Sequence, residues 1–275
     1  MPKLAIVAAA LALLCSPMPA LAQASEPDER LCASRENPDV VVIAACTRLI
    51  DKGGLDDARL GNAYRYRAIA YAFMAAYREA LADLDRAVAL RPLDPAVLAD
   101  RGGVQNKLGD PARAIADFVA SLKLRPDFLL ALSWRGDAYA AAGQLDRAIE
   151  DYDAALAIDG NFSPAWNSRC NAKARLGRLD AALADCNEMV ARAPHIAFGY
   201  DSRGRVHLLA GRVDAALADF DTAIRMFPQL ATAFYGRAIA RQRKSDASGT
   251  AADIDAARTI KADVAEDMAA YGLRL

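Results

Sequence analysis

A period of 34 residues runs through most of this chain and limits what it can fold into. Residues 129–162, LLALSWRGDAYAAAGQLDRAIEDYDAALAIDGNF, read as two short amphipathic helices around a turn at Gly143-Gln144. Small residues (Gly136, Ala148, Ala155) alternate with large ones (Leu132, Tyr139, Tyr152), and the pattern returns when the frame moves by 34 residues either way. Six units follow without a gap: 61–94, 95–128, 129–162, 163–196, 197–230 and 231–264. One hairpin of this size cannot bury its apolar side alone, so the units are expected to stack into a solenoid.

Each first helix carries a bulky residue near its start (Tyr64, Leu98, Leu132, Trp166, Tyr200, Phe234) and a small one four positions later (Ala68, Gly102, Gly136, Cys170, Gly204, Ala238). Gly109, Gly143, Gly177 and Gly211 mark the turns; the sixth turn, Arg243-Lys244-Ser245-Asp246, has no glycine. Second helices carry Ala80, Ala114, Ala148, Ala182 and Ala216, then Leu84, Phe118, Tyr152, Cys186, Phe220 and Ile254. Pro92, Pro126, Pro194 and Pro228 close four units, because proline cannot continue a helix. Small residues on facing helices let backbones approach while large ones fill the grooves between. In period and offsets the chain resembles the tetratricopeptide repeat. The resemblance implies an all-α, right-handed superhelical solenoid of about six hairpins. Residues 23–37 read as a polar, poorly ordered lead-in, and the helical run from Pro38 to Gly53-Gly54 as an N-terminal cap, with 23–60 forming the segment before the repeats. Residues 265–275 read as a C-terminal capping helix with Met268 and Tyr271 on its apolar face.

One feature departs from the family pattern. Just before the small residue, where the family has leucine, every unit has arginine: Arg67, Arg101, Arg135, Arg169, Arg203, Arg237. Sixteen residues later every unit has aspartate: Asp83, Asp117, Asp151, Asp185, Asp219, Asp253. The expectation is a ladder of forked guanidinium–carboxylate pairs, within or between repeats, that lysine could not reproduce. A residue repeated in every unit serves what every unit shares, so a structural role is favoured over ligand binding.

Residues 1–22 have the form of a secretory leader: Lys3, an apolar run Leu4–Leu14, and Ala20-Leu21-Ala22 before Gln23. Cleavage after Ala22 would make the protein periplasmic or secreted. Cys15 would leave with the leader, and Cys32, Cys46, Cys170 and Cys186 would remain in an oxidising compartment. The expected bridges are Cys32–Cys46 and Cys170–Cys186, the second across positions where other units have glycine or alanine and the backbones come close. No C-x-x-C motif or histidine cluster suggests a metal or a redox site.

The formal net charge of −1 gives no field to attract nucleic acid or an anionic membrane, and no run outside the leader is long enough to span a bilayer. No nucleophile elbow, zinc-protease motif, P-loop or dinucleotide fingerprint is present. His195 falls in an inter-repeat loop, and His207 takes a position held elsewhere by Tyr71 and Tyr139. The expectation is a protein that is not an enzyme, with no catalytic residue, cofactor or metal.

The family resemblance implies that the first helices line a concave groove for a protein or peptide partner. The residues implied to project there are Asn62, Arg65, Ile69 and Phe73, Asp100, Asn106 and Lys107, Trp134 and Asp137, Asn167, Asn171 and Arg175, Asp201 and Arg205, and Tyr235 and Arg243. Asn167, Asn171 and Arg175, with Arg205 beside them, resemble part of the family's carboxylate clamp, and Trp134 is the candidate anchor. The alternative function is a cell-envelope assembly or polysaccharide-associated factor. Self-association through the ends of the stack is also open.

Overall fold

The structure, a computed structural model, describes residues 28–275. The expected leader and its Cys15 lie outside the described residues. Fifteen helices and no strand occur among the described residues. Two short N-terminal elements come first, α1 (Asp28–Cys32) and α2 (Asp39–Lys52). Six hairpins follow: α3 (Asp57–Phe73) with α4 (Tyr77–Leu90), α5 (Pro95–Lys107) with α6 (Pro111–Leu124), α7 (Leu129–Ala141) with α8 (Leu145–Ile158), α9 (Ser163–Arg175) with α10 (Leu179–Arg192), α11 (Ala197–Leu209) with α12 (Val213–Met226), and α13 (Ala231–Arg243) with α14 (Ala247–Ile260). The short α15 (Val264–Ala269) ends the order, and the chain beyond it is not a continued helix. The molecule is an α-solenoid of helical hairpins.

Local chemistry starts and stops these helices. Asp94 accepts from the Ala96 amide (2.8 Å) and Asp110 from the Arg113 amide (3.1 Å), each just ahead of a proline in the first turn; a carboxylate cap and a residue with no N–H to satisfy suit a helix start. At the turns Gly109, Gly143, Gly177 and Gly211 adopt φ between 72° and 81°. The following N–H then reaches back five residues, as Gln144 N does to Tyr139 O (2.8 Å), and closes the helix end. Ala75 and Ser245 hold the same left-handed position in the first and sixth turns, with φ of 58° and 61°.

The small–large code acts as direct contact. A Cβ on Gly136 would lie 2.5 Å from the Tyr152 ring, and one on Gly204 would lie 2.9 Å from Phe220. Hence Tyr152, Phe118 and Phe220 are fully buried against the glycine-bearing turns of their partner helices. In the fourth hairpin the same two positions are Cys170 and Cys186, joined as a disulfide with Cα atoms 5.5 Å apart.

The segment expected to be an unordered lead-in instead contains helix α1. Cys32–Cys46, with Cα atoms 4.8 Å apart, bonds α1 to α2, and Arg48 forks onto Asp28. The composition of this stretch is polar, but a covalent tie and a buried Cys32 give it a place on α2.

Candidate functional site: the concave face of the first helices

Neighbouring first helices touch one another, α3 with α5, α5 with α7, α7 with α9, α9 with α11 and α11 with α13, while second helices pack on first helices. The stack therefore curves towards the first helices, whose free faces form one continuous inner surface. Polar side chains cross it from repeat to repeat. Arg65 Nε donates to Asp100 Oδ2 (2.5 Å), Arg175 Nη1 to the Ala140 carbonyl (3.1 Å) and Arg243 Nη1 to the Leu208 carbonyl (2.6 Å). Asn62 accepts from Arg91. Burial pushes the Asp100 carboxyl above the usual carboxylate range, and Arg65 draws it only partly back.

The surface has three sections of different character. At the N-terminal end Ile69 is half-buried and Phe73 is 79% exposed. In the middle, α5 and α7 present half-buried small residues, Ala96, Gly103 and Ala140, bordered by exposed Lys107 and half-buried Asn106 and, on α9, Asn167, Asn171 and Arg175. Asp137 on this floor accepts from the Tyr152 hydroxyl (2.7 Å), and Ser168 also hydrogen-bonds to it. Burial raises the Asp137 carboxyl, while Tyr152, Ser168 and the charge of Lys107 pull the other way. Burial and the neighbouring Asp137 also raise the Tyr152 hydroxyl.

The C-terminal section is closed. Arg205 and Asp201 are 7% and 2% exposed and pair at 2.6 Å. Thr232 donates to Asp201 (3.0 Å), and Arg205 donates to Asn171 (3.1 Å) and Ser202 (2.9 Å). Tyr235 is buried in the apolar cluster beneath. Asn171 and Arg205, expected to be free for a ligand, are thus bonded to each other. Trp134 is half-buried: its ring tilts against Phe118 at 6.4 Å and fills the space over Gly103. It supports the floor of the groove.

The arginines and aspartates of the repeated pattern meet in a different layer, between first and second helices. In all six hairpins Nε and Nη2 of the arginine fork onto both oxygens of the aspartate of the same repeat at 2.7–2.9 Å. The third nitrogen crosses to the preceding unit: Arg101 to Asp85, Arg169 to Asp153, Arg203 to Asn187, Arg237 to Asp221, and Arg67 to Thr47 of α2. Asp83 holds the Arg67 guanidinium above its ordinary pKa by hydrogen bonding, and Asp151 does the same for Arg135. Sequence reasoning missed this second carboxylate, although the signal was present as D-x-D in Asp83–Asp85, Asp151–Asp153 and Asp219–Asp221. At Arg135 the corresponding residue is Val119, which is exposed.

No group of three or more histidine, cysteine, aspartate and glutamate side chains with metal-binding geometry occurs among the described residues. His195 is exposed; His207 Nε2 lies 3.8 Å from Asp219, and burial lowers its pKa.

A repeated helical hairpin, stacked through its first helices, defines a class of α-solenoid repeat proteins. The tetratricopeptide-repeat family model matches residues 107–163 and 202–270. The matched residues carry tetratricopeptide repeats. The fold of the chain is similar to that of a tetratricopeptide-repeat protein from Parabacteroides merdae, with a TM-score of 0.70 and 17% identity over 86% of this chain and 93% of that one. It is also similar to a thermophilic TPR protein of Thermus thermophilus, with a TM-score of 0.58 and 22% identity over 69% of this chain and 98% of that one. A third similar structure is PilW, a type IV pilus biogenesis factor, with a TM-score of 0.65 and 18% identity over 73% of this chain and 93% of that one. No curated relative matches at the level of sequence.

Two disulfides are characteristic of an oxidising compartment rather than the cytosol. No described helix is long and apolar enough to cross a membrane.

Proposed function

We propose that this chain is a non-catalytic scaffold that holds a segment of another protein on its inner face, in the section formed by α5, α7 and α9. The observation that carries this reading is the contrast between sections. The middle floor is lined by small side chains and left uncovered, whereas the C-terminal section is occupied from within. Exposed Lys107 and half-buried Arg175 border the open section, where the Asp137 carboxylate is already engaged by the Tyr152 hydroxyl. That balance suits an extended or helical segment with acidic side chains. Trp134 acts by holding the floor in shape.

The leader-like residues 1–22, cut after Ala22, and the two disulfides support a periplasmic or secreted location. The likeness to PilW, a type IV pilus biogenesis factor, concerns the fold alone. A polysaccharide-associated role would want several aromatic rings for stacking on sugars, and the open section offers Trp134 alone among small and polar side chains, with its ring packed towards Phe118.

The test is cross-linking capture from the exported fraction with the native chain and with Lys107→Glu/Arg175→Gln. The native chain should retain a partner that the variant loses at least ten-fold, with both melting alike. Equal capture by the variant would move the site off this face.

A further inference from the structure

The residues after α14 do not continue the stack. A seventh first helix would pack on both helices of the hairpin before it, as α13 does on α11 and α12. Helix α15 instead packs on α13 and turns inward. Val264 and Met268 are fully buried and Leu273 nearly so, in the same apolar cluster as Tyr235 and Ile239 of α13 and Leu208 of α11. Tyr271 reaches two repeats back: its ring covers the Arg205 guanidinium on α11 at 4.8 Å. Glu266 and Arg274 face water, and Asp267 pairs with Lys261 at 2.5 Å.

This arrangement is what a bound peptide looks like. Three apolar side chains enter an apolar floor, one aromatic ring stacks on a desolvated cation, and the polar side faces outward. Beneath the ring the receptor is already assembled without the tail's help: Arg205 donates to Asp201, Asn171 and Ser202, and Thr232 donates to Asp201, so three successive first helices hold the network. The tail adds no hydrogen bond to that network. Arg205 Nε and Asp201 Oδ1 are buried under it with no partner in the protein.

We propose that the inner surface over α11 and α13 is a receptor for a short segment, one helical turn or two followed by a tyrosine and a closing apolar residue, and that Val264–Leu273 is its resident occupant. A partner segment of the same pattern, with apolar residues at relative positions 0, 4 and 9 and tyrosine at 7, competes for this place. This rests on the reading of the inner face as a peptide-holding surface and extends it to the covered section. In the native chain the covered section is closed to weak ligands and the middle section stays open. Release of the tail joins the two into one longer groove.

The test uses the full chain and a fluorescein-labelled synthetic peptide of residues 261–275, followed by anisotropy. In the native chain the attached tail holds the site, so the peptide binds weakly. In the full chain carrying Tyr271→Ala and Leu273→Asp the peptide should bind saturably, at least ten-fold tighter than to the native chain. A peptide with tyrosine replaced by alanine should lose at least ten-fold on the same variant. Equal binding to native and variant chains, or no difference between the two peptides, overturns the proposal.

Amide hydrogen exchange on the unaltered chain gives a second reading that needs no variant. Amides of 264–273 should exchange through an opening that leaves α11 and α13 protected. Exchange of the tail only together with α13 would make it a fixed cap and overturn the proposal. Neither failure touches the middle section, whose test is the Lys107 and Arg175 variant.

Discussion

Val119 is the residue where the charge pattern breaks, and it shows how the ladder works. At every other junction the ladder arginine spends two nitrogens on its own repeat and the third on the preceding unit; Arg135 faces an exposed valine. Val119→Asp should complete the rung and stabilise the chain by about 0.5–1 kcal/mol, the scale of a partly exposed pair in good geometry. Urea unfolding beside Val119→Ala decides it, because an alanine variant that gains as much would assign the effect to the lost apolar surface. Asp137 gives a pH signature of the opposite kind. Its folded carboxyl holds its proton more tightly than an unfolded one, whose pKa is about 3.9. Between that value and the raised one the folded state binds more protons, so this group makes stability fall as pH rises. Asp137→Asn should therefore raise the melting temperature at pH 7 and raise it less as pH falls to about 4. A benefit that grows on acidification would show that the carboxylate is held charged.

At the scale of elements, the turns decide how well each hairpin closes. Four turns use glycine at the left-handed position, and two use Ala75 and Ser245 at nearly the same φ. A side chain costs about 1 kcal/mol there because its Cβ crowds the following carbonyl. Ala75→Gly and Ser245→Gly should each stabilise by about that amount, and Gly143→Ala should cost a similar amount, all read by thermal unfolding. The reverse order would mean that flexibility gained in the unfolded chain outweighs relief of the turn. The fourth hairpin uses a different device. Where its neighbours press an aromatic ring onto glycine, it has a covalent bond between Cys170 and Cys186.

The whole molecule is a line of units, each resting on the next, so its stability is the sum of local terms and junctions. The bridges therefore act regionally: Cys170–Cys186 holds the middle of the line and Cys32–Cys46 its first turn of helix. Reduction should lower unfolding stability by about 3 kcal/mol per bridge in the chain-entropy account. Urea curves with and without a phosphine reductant, after thiol titration shows both bonds open, check this. Coincident curves would mean that the bridges restrain the unfolded chain no more than the native contacts do. The curvature that makes the inner face belongs to this scale as well, since it needs first helices to touch across every junction.

The hairpin array was legible because its signal is redundant: six copies of one small–large pattern leave a single way to bury the apolar side of each unit. The spacing of arginine and aspartate likewise foretold which side chains could meet, since sixteen residues span one hairpin from first helix to second. The sequence by itself thus determined the unit, its turns and the chemistry of its seams. Only the tertiary structure decided what the inner face is. Tyr271 lies 66 positions after Arg205 and belongs to no repeat, so no periodicity could place its ring on that guanidinium. Trp134 reads as an exposed anchor in its own helix and becomes part of the floor only when Phe118 and Gly103 of the preceding unit arrive beneath it. Local pattern fixes what each unit must hide, but which surface stays open depends on how units far apart in the chain come to lie together.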